Sequence, residues 1–403
     1  MEEGVEARPA GMPDQAVESR RFSRYAFGLV DQVLSSATNV GLFVAVGRLL
    51  GASGLGAVSL GFAAYLVALI VHRAAVTQPV VVVTATAGPE ERQSAIDRAT
   101  TVTGIWALAV AGLLALVGVA LRASVGRGLL LVAPWLPSLL IQDQCRFLLF
   151  RDRRERAAVA NDLTWVLVMG ASLAVALSSR SDWLVVGAWG MGATAGAVLG
   201  LRQLRVTLVV ADAVDWWRRV IWPLGRWWAL SRLVYSAGGQ AAVLFIAPLV
   251  TAGAIGGLRA VQSVFAPLTV LIPAASMPGL PAITRALHRS VPAARRLAAR
   301  LSIALLLTAS AYMAVVFLMR RFILTEVFGS SFAAFASLAA PVAVNQVATA
   351  AGTGALLFLM SAARKGSILL SHGANSAVSI GLAIALAAAS GVEGAAWGAL
   401  PSE

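Results

Sequence analysis

Eleven apolar runs of roughly 17–28 residues follow one another along this chain, each long enough to cross about 30 Å of hydrocarbon. They lie near 25–46, 55–76, 100–121, 128–150, 162–178, 183–201, 226–248, 252–276, 298–319, 333–360 and 364–388, and a twelfth begins at Gly391. Lipid offers a peptide group no hydrogen-bond partner, so such runs fold as helices that satisfy their own backbone. A barrel would alternate apolar and polar residues, and these runs do not. Charged residues make up only 13% of the chain and mean hydropathy is +0.80, whereas a soluble domain carries about 25% charged residues. The expectation is an all-α integral membrane protein with about twelve spans.

The runs repeat with an offset of 200 residues. Arg48-Leu-Leu-Gly-Ala-Ser-Gly-Leu-Gly56 returns as Pro248-Leu-Val-Thr-Ala-Gly-Ala-Ile-Gly256, and Tyr25–Asn39 aligns without a gap on Gly225–Gly239. Asp31 then corresponds to Ser231, and Ser36 to Ser236. A duplicated bundle implies two lobes with a cleft between them, which is transporter anatomy. The spacing predicts a cytoplasmic tail at 1–24, a first six-helix lobe at 25–205, a linker at 206–224 and a second lobe at 225–403. Each lobe holds an even number of spans, so the repeats run parallel, and the pair encloses a V-shaped cleft.

Basic residues set the expected orientation. Of 32, the tail and the loops after even-numbered spans hold 22, the loops after odd-numbered spans six, and the spans four. That bias places the N-terminus and the even loops in the cytoplasm of a multi-pass cell-membrane protein. The net charge of +13 is therefore a topology signal, and no nucleic-acid partner is expected. The linker interleaves Asp212, Asp215, Arg218 and Arg219 with Val214, Trp216, Trp217, Ile221 and Trp222, as an interfacial amphipathic segment does.

Other chemistries find no footing. Cys145 is the single cysteine and only three histidines occur, so neither a disulfide nor a metal site is expected. No phosphate-binding loop and no Ser/His/Asp or Cys/His set stands out, so we expect no cofactor, no catalytic residues and no enzyme. Residues 1–24 are polar, so a cytoplasmic tail is expected there and not a signal peptide. After Trp397 only six residues remain, which reads as a shortened twelfth span.

Three stretches resemble a known family: Gly47-Arg-Leu-Leu-Gly-Ala-Ser-Gly-Leu-Gly-Ala57, the region from Cys145-Arg-Phe through Arg151 to Asp162, and Val327-Phe-Gly-Ser-Ser-Phe-Ala-Ala334 followed by Ala363-Arg-Lys-Gly366 and Gly391-Val-Glu-Gly-Ala-Ala396. In order and spacing they are similar to the polysaccharide-exporter branch of the multidrug/oligosaccharidyl-lipid/polysaccharide flippase superfamily. The resemblance covers about residues 20–400. It implies a V-shaped pair of bundles that exports a polyprenyl-diphosphate-linked oligosaccharide by alternating access. Membrane lipids, a polysaccharide polymerase and glycosyltransferases are the partners it suggests. The short twelfth span departs from the family pattern.

Ionisable groups inside spans are costly and usually face a protein interior or a wet cavity. The first span carries Asp31, Ser35, Thr38 and Asn39; the seventh carries Arg232, Tyr235, Ser236 and Gln240; the eighth carries Arg259, Gln262 and Ser263. One reading is a cleft lined by spans 1, 2, 7 and 8, with Arg232, Arg259, Asn39 and Gln262 binding substrate and Asp31 coupling to protons. The guanidinium suits a diphosphate because its fork bonds oxygens in pairs and stays charged. The other is that Asp31 bridges Arg232, or that Arg232 snorkels to the headgroups. Asp143 and Arg146 read as a local i, i+3 bridge, Arg73 as a snorkelling cation, and His72 and His372 as structural. Asn345, Gln346, Thr349 and Asn375 read as interhelical hydrogen-bonding groups. Pro267, Pro273, Pro278 and Pro281 predict bending in the eighth span. Two other functions remain open: a proton- or sodium-coupled multidrug antiporter, and a non-transporting scaffold for envelope assembly.

Overall fold

The computed structural model describes residues 14–121, 124–179, 181–233, 238–362 and 365–398. Among them the chain is helical, and eight helices are long and apolar enough to cross a membrane. Helices α1 (14–50) and α2 (52–83) meet at Gly51, whose φ of 69° and ψ of −171° suit a residue without a Cβ. They are followed by α3 (Pro89–Leu121), α4 (Ser124–Arg151), α5 (Glu155–Ala176) and α6 (Asp182–Leu204). These six form the first bundle, in which α5 packs along α6 and α4 along α6.

The second bundle enters through α7 (210–232) and continues as α8 (Gly238–Ile246), α9 (Ala252–Val264), α10 (Ala266–Arg289), α11 (Val291–Leu318) and α12 (Arg320–Phe328). A 3-10 segment, Ser330–Leu338, leads into α13 (Ala339–Ser361). The last long helix breaks at Ser390 and Gly391, giving α14 (365–389) and α15 (392–398). The chain therefore turns into a short last helix where the sequence placed the start of a twelfth span. Its small face lies against α14, since a Cβ on Gly398 would meet the backbone of Ala383.

Two expectations change. The eighth span is not one helix ending near 276. It breaks at Phe265, and Pro267 sits at the start of α10, which runs unbroken through Pro273, Pro278 and Pro281 to Arg289. Proline is tolerated in a first helical turn because the donor it lacks has no partner there anyway. The tenth span begins as a 3-10 segment, not at 333 as α-helix.

The bundles share one apolar core that runs from Leu42, Val46 and Phe62 across to Val261, Phe265, Phe328 and Phe332. Outward positions such as Leu116 (73% exposed), Val175 (78%) and Leu318 (80%) face the surrounding lipid, as a multi-pass membrane protein requires.

Candidate functional site

The repeated segments close one end of the inter-bundle space. Residues 52–56 and their repeat at 252–256 pack against each other reciprocally. A Cβ on Gly56 would overlap the carbonyl of Ala252, and a Cβ on Gly256 would overlap the carbonyl of Ala52. Only glycine at both positions lets the backbones approach so closely, as small residues do in membrane helix pairs. Arg48 reinforces this end: its Nε donates to the Val327 carbonyl at 2.9 Å, and its Nη2 donates to the Glu326 carbonyl. The rings of Phe328, Phe332 and Phe335 follow one another in tilted contact, with centroids 5.5 and 6.1 Å apart. The stretches 47–57 and 327–334, read separately in the sequence, thus form one seal.

Beneath the seal lies a cavity of about 390 Å³ between the bundles. Ser36, Asn39 and Phe43 of α1 and Phe62 of α2 form one wall. Arg259, Gln262 and Ser263 of α9 form the facing wall, with Gln240 of α8 beside them. Asn345 and Gln346 of α13 complete it. Residues 259, 262 and 263 share a face because they are three and four apart on a helix. The guanidinium carbon of Arg259 lies 5.1 Å from the Phe43 ring centroid and 5.6 Å from that of Phe62. Cation–π attraction to both rings holds the group in place. It makes no ion pair or hydrogen bond with a described residue, so its N–H edges stay available. No carboxylate lines the cavity among the described residues. The side-chain oxygen of Asn39 is buried and accepts no hydrogen bond.

Of the sequence-predicted set, Asn39, Arg259, Gln262, Ser263 and Gln240 come together here. Arg232 does not join the cavity lining; it is exposed, at the last position of an α-helical stretch of α7. The side chains of Asp31 and Ser35, and residues Tyr235 and Ser236, lie outside the described residues, as does the side chain of His372. Asn345 and Gln346, expected to serve helix association, also stand in the cavity wall. The rings of Phe43 and Phe62 were not singled out at all, since an aromatic residue in an apolar run carries no mark of its role.

The first bundle holds a second polar assembly of different character. Arg73 does not snorkel. Its Nε donates to Asp143 Oδ2 at 2.7 Å and its Nη2 to Asp143 Oδ1. Arg146 contacts Asp143 at 3.4 Å and Asp162 at 3.3 Å. Gln142 donates to Asn161 and Asp162, and Asn161 donates to the Gly196 carbonyl at 2.6 Å. Buried His72 is 2.9 Å from Thr103 Oγ1 through its Nε2. Two carboxylates therefore face two guanidiniums. The expected Asp143–Arg146 bridge exists, but its main partner is Arg73.

Helix α7 is fastened to this bundle. Trp217 donates its indole N–H to the Ala75 carbonyl at 3.1 Å, inside a π-helical turn of α2 (Arg73–Thr77). A π turn leaves a carbonyl without its helical donor, and the indole supplies one. Arg98 holds Asp212 at 2.9 Å. That hydrogen bond keeps the Asp212 carboxylate below its ordinary range.

The chain matches no protein-family model and no curated protein sequence. Its fold matches solved membrane transporters. The inward closed conformation of the lipid II flippase MurJ superposes with a TM-score of 0.72 at 11% identity, covering 93% of this chain and 84% of that one. The inward-facing conformation of a multidrug resistance MATE family transporter of the MOP superfamily gives 0.63 at 13% identity, covering 92% and 91%. A MATE structure in complex with MaL6 gives 0.55 at 12% identity, covering 94% and 91%. The chain therefore carries the two-bundle fold, with its V-shaped cleft, that is found in MurJ and in MATE transporters of the MOP superfamily.

Proposed function

We propose that this chain flips a polyprenyl-diphosphate-linked oligosaccharide across the cytoplasmic membrane for cell-surface polysaccharide assembly. The observation that carries the reading is Arg259, a guanidinium between the bundles that is held by two rings and paired with no described acid. A glycan headgroup cannot cross hydrocarbon unaided, so a polar cleft must replace its water. The lipid tail can stay between the bundles. A fixed positive charge in such a cleft acts on a diphosphate more strongly than it would in bulk water.

The moving halves in this reading are 25–205 and 225–403, joined by the linker 206–224. The basic-residue bias puts the linker in the cytoplasm and the Arg48 seal outside. Arg232 then stands at the cytoplasmic mouth and Arg259 deeper, so the diphosphate meets them in succession. Asp31 remains the proposed proton-coupling group, with Asn39 and Gln262 as further contacts. Glycosyltransferases supply the lipid-linked unit and a polymerase consumes it.

MATE-like cation antiport is the runner-up. It calls for several carboxylates in the spans free to exchange a cation; Asp143 and Asp162 are each held by arginine, which leaves Asp31 to serve. A scaffold would need no free charge in the cavity.

Proteoliposomes containing a polyprenyl-diphosphate oligosaccharide test the reading, with headgroups in the outer leaflet removed by an added glycosidase. Flipping exposes the inner pool as well. Arg259→Ala should abolish exposure of the inner pool at matched protein level, and Arg259→Lys should restore part of it, since charge survives without the bidentate fork. Unchanged flipping by the alanine variant would sink the reading.

A further inference from the structure

We infer that the cavity selects a headgroup whose sugar next to the phosphate is uncharged and rich in hydroxyl or acetamido groups. This rests on the lipid-diphosphate reading and deepens it. The lining is an amide ring: Asn39, Gln240, Gln262, Asn345 and Gln346 come from three sides of the cavity around the single guanidinium of Arg259. An amide presents a carbonyl acceptor and two N–H donors. That combination matches sugar hydroxyls, which both donate and accept, and acetamido groups, which do the same along one plane. The buried side-chain oxygen of Asn39 lacks a donor, and a sugar hydroxyl or an acetamido N–H would supply one.

The rings of Phe43 and Phe62 line the same cavity. They meet edge to face, with centroids 4.8 Å apart. A pyranose has an apolar face of C–H groups that can lie against an aromatic surface while its hydroxyls reach outward to amides. The same two rings carry Arg259, so the phosphate and the first sugar would sit side by side.

Charge counting gives the exclusion. The diphosphate brings two negative charges, one on each phosphate, and Arg259 is the one cation among the described lining residues, so no cation is left over for a further anion. A uronic acid beside the diphosphate would bring a carboxylate with no cation among the described lining residues. A charge left unpaired away from water is heavily penalised, whereas neutral hydroxyls are satisfied by amides.

The test uses the purified full chain in lipid nanodiscs, with native mass spectrometry reading occupancy. Three probes are compared: bare polyprenyl diphosphate, the same lipid bearing N-acetylglucosamine, and the same lipid bearing glucuronic acid. The N-acetylglucosamine lipid should bind most tightly, about tenfold or more above the other two, the margin that two neutral hydrogen bonds provide. Gln262→Ala should cut that preference about fivefold, the worth of one such bond. Gln346→Ala lies on a different helix and should do the same, so a misfolded Gln262 variant does not end the experiment. Arg259→Gln should weaken all three lipids alike. Equal affinity for the three lipids, or a preference for the glucuronic acid lipid, overturns this inference alone. No saturable binding of any of the three by folded protein overturns the lipid-diphosphate reading beneath it.

Discussion

Two groups of buried polar residues lie in this molecule, and they are built on opposite plans. In the first bundle, Asp143 and Asp162 face Arg73 and Arg146, with amides and a carbonyl filling the gaps. Between the bundles, Arg259 faces two aromatic rings and a set of amides. The first plan pairs each carboxylate with arginine from within, so it orders α2, α4 and α5 and leaves no charge to offer a ligand, although His72 Nδ1 and the Gln144 amide nearby have no hydrogen-bond partner among the described residues. The second leaves a charge and a buried oxygen without protein partners. Buried charge is costly in either place. Where the protein neutralises it, the role is structural; where it does not, the compensating group has to come from outside.

The largest effect should come from breaking the closed network. Asp143→Ala leaves Arg73 and Arg146 without their shared carboxylate and should cost about 3–5 kcal/mol, as removal of one partner of a buried ion pair does. A thermal melt of the detergent-solubilised variant measures it. A shift near zero would mean the network is not structural and would erase the contrast.

A smaller effect is expected at the seal above the cavity. Gly256→Leu drives a side chain into the Ala52 backbone. Overpacking of this kind costs about 1–3 kcal/mol and here falls on the sealed state alone. The opened population should then grow. A cysteine at position 263, in a background with Cys145 replaced, should label faster from the Arg48 side. Unchanged labelling would show that the glycine contact does not hold the seal.

The smallest effect concerns the Arg98–Asp212 bridge at the start of α7, outside the membrane-spanning segments. Because Asp212 ionises more readily in the folded protein than in the unfolded chain, its contribution is present above the unfolded carboxylate value. It is lost as pH falls through the lower folded value. Protease cleavage near residue 212 should therefore increase as pH drops below about 4. Asp212→Asn should remove the step. A step that persists in that variant would assign it to another group.

Much of the fold was legible in the sequence because lipid allows so few solutions. The apolar runs required helices, the offset of 200 residues brought Gly56 and Gly256 into register, and Gly391 marked the turn into the last helix. The cavity was half legible. Arg259 and Gln262 announce themselves as polar residues one helical turn apart in an apolar run, and Asn39 does so in the first run. Partnership was not legible. Arg73 meets Asp143 across 70 residues and Arg48 meets Val327 across 279. No local period encodes such distances, so Arg73 read as a snorkelling cation. Asn345 and Gln346 carry the pattern of helix glue and of cavity wall equally, and only the packing of α13 separates the two. The break at Phe265 was displaced because proline ends the preceding helix and starts the next, instead of bending one.

The most direct measurement sets the two plans side by side in one background. Arg259→Gln and Asp143→Asn are each purified, melted and assayed for flipping of a polyprenyl-diphosphate oligosaccharide in proteoliposomes. The account predicts that Arg259→Gln melts at or above the parent temperature, because it removes a half-buried charge that no described acid pairs, and yet flips nothing. Asp143→Asn should melt lower, and whatever fraction stays folded should still flip. Flipping by Arg259→Gln at the parent rate, or a loss of fold from that substitution as severe as from Asp143→Asn, would contradict it.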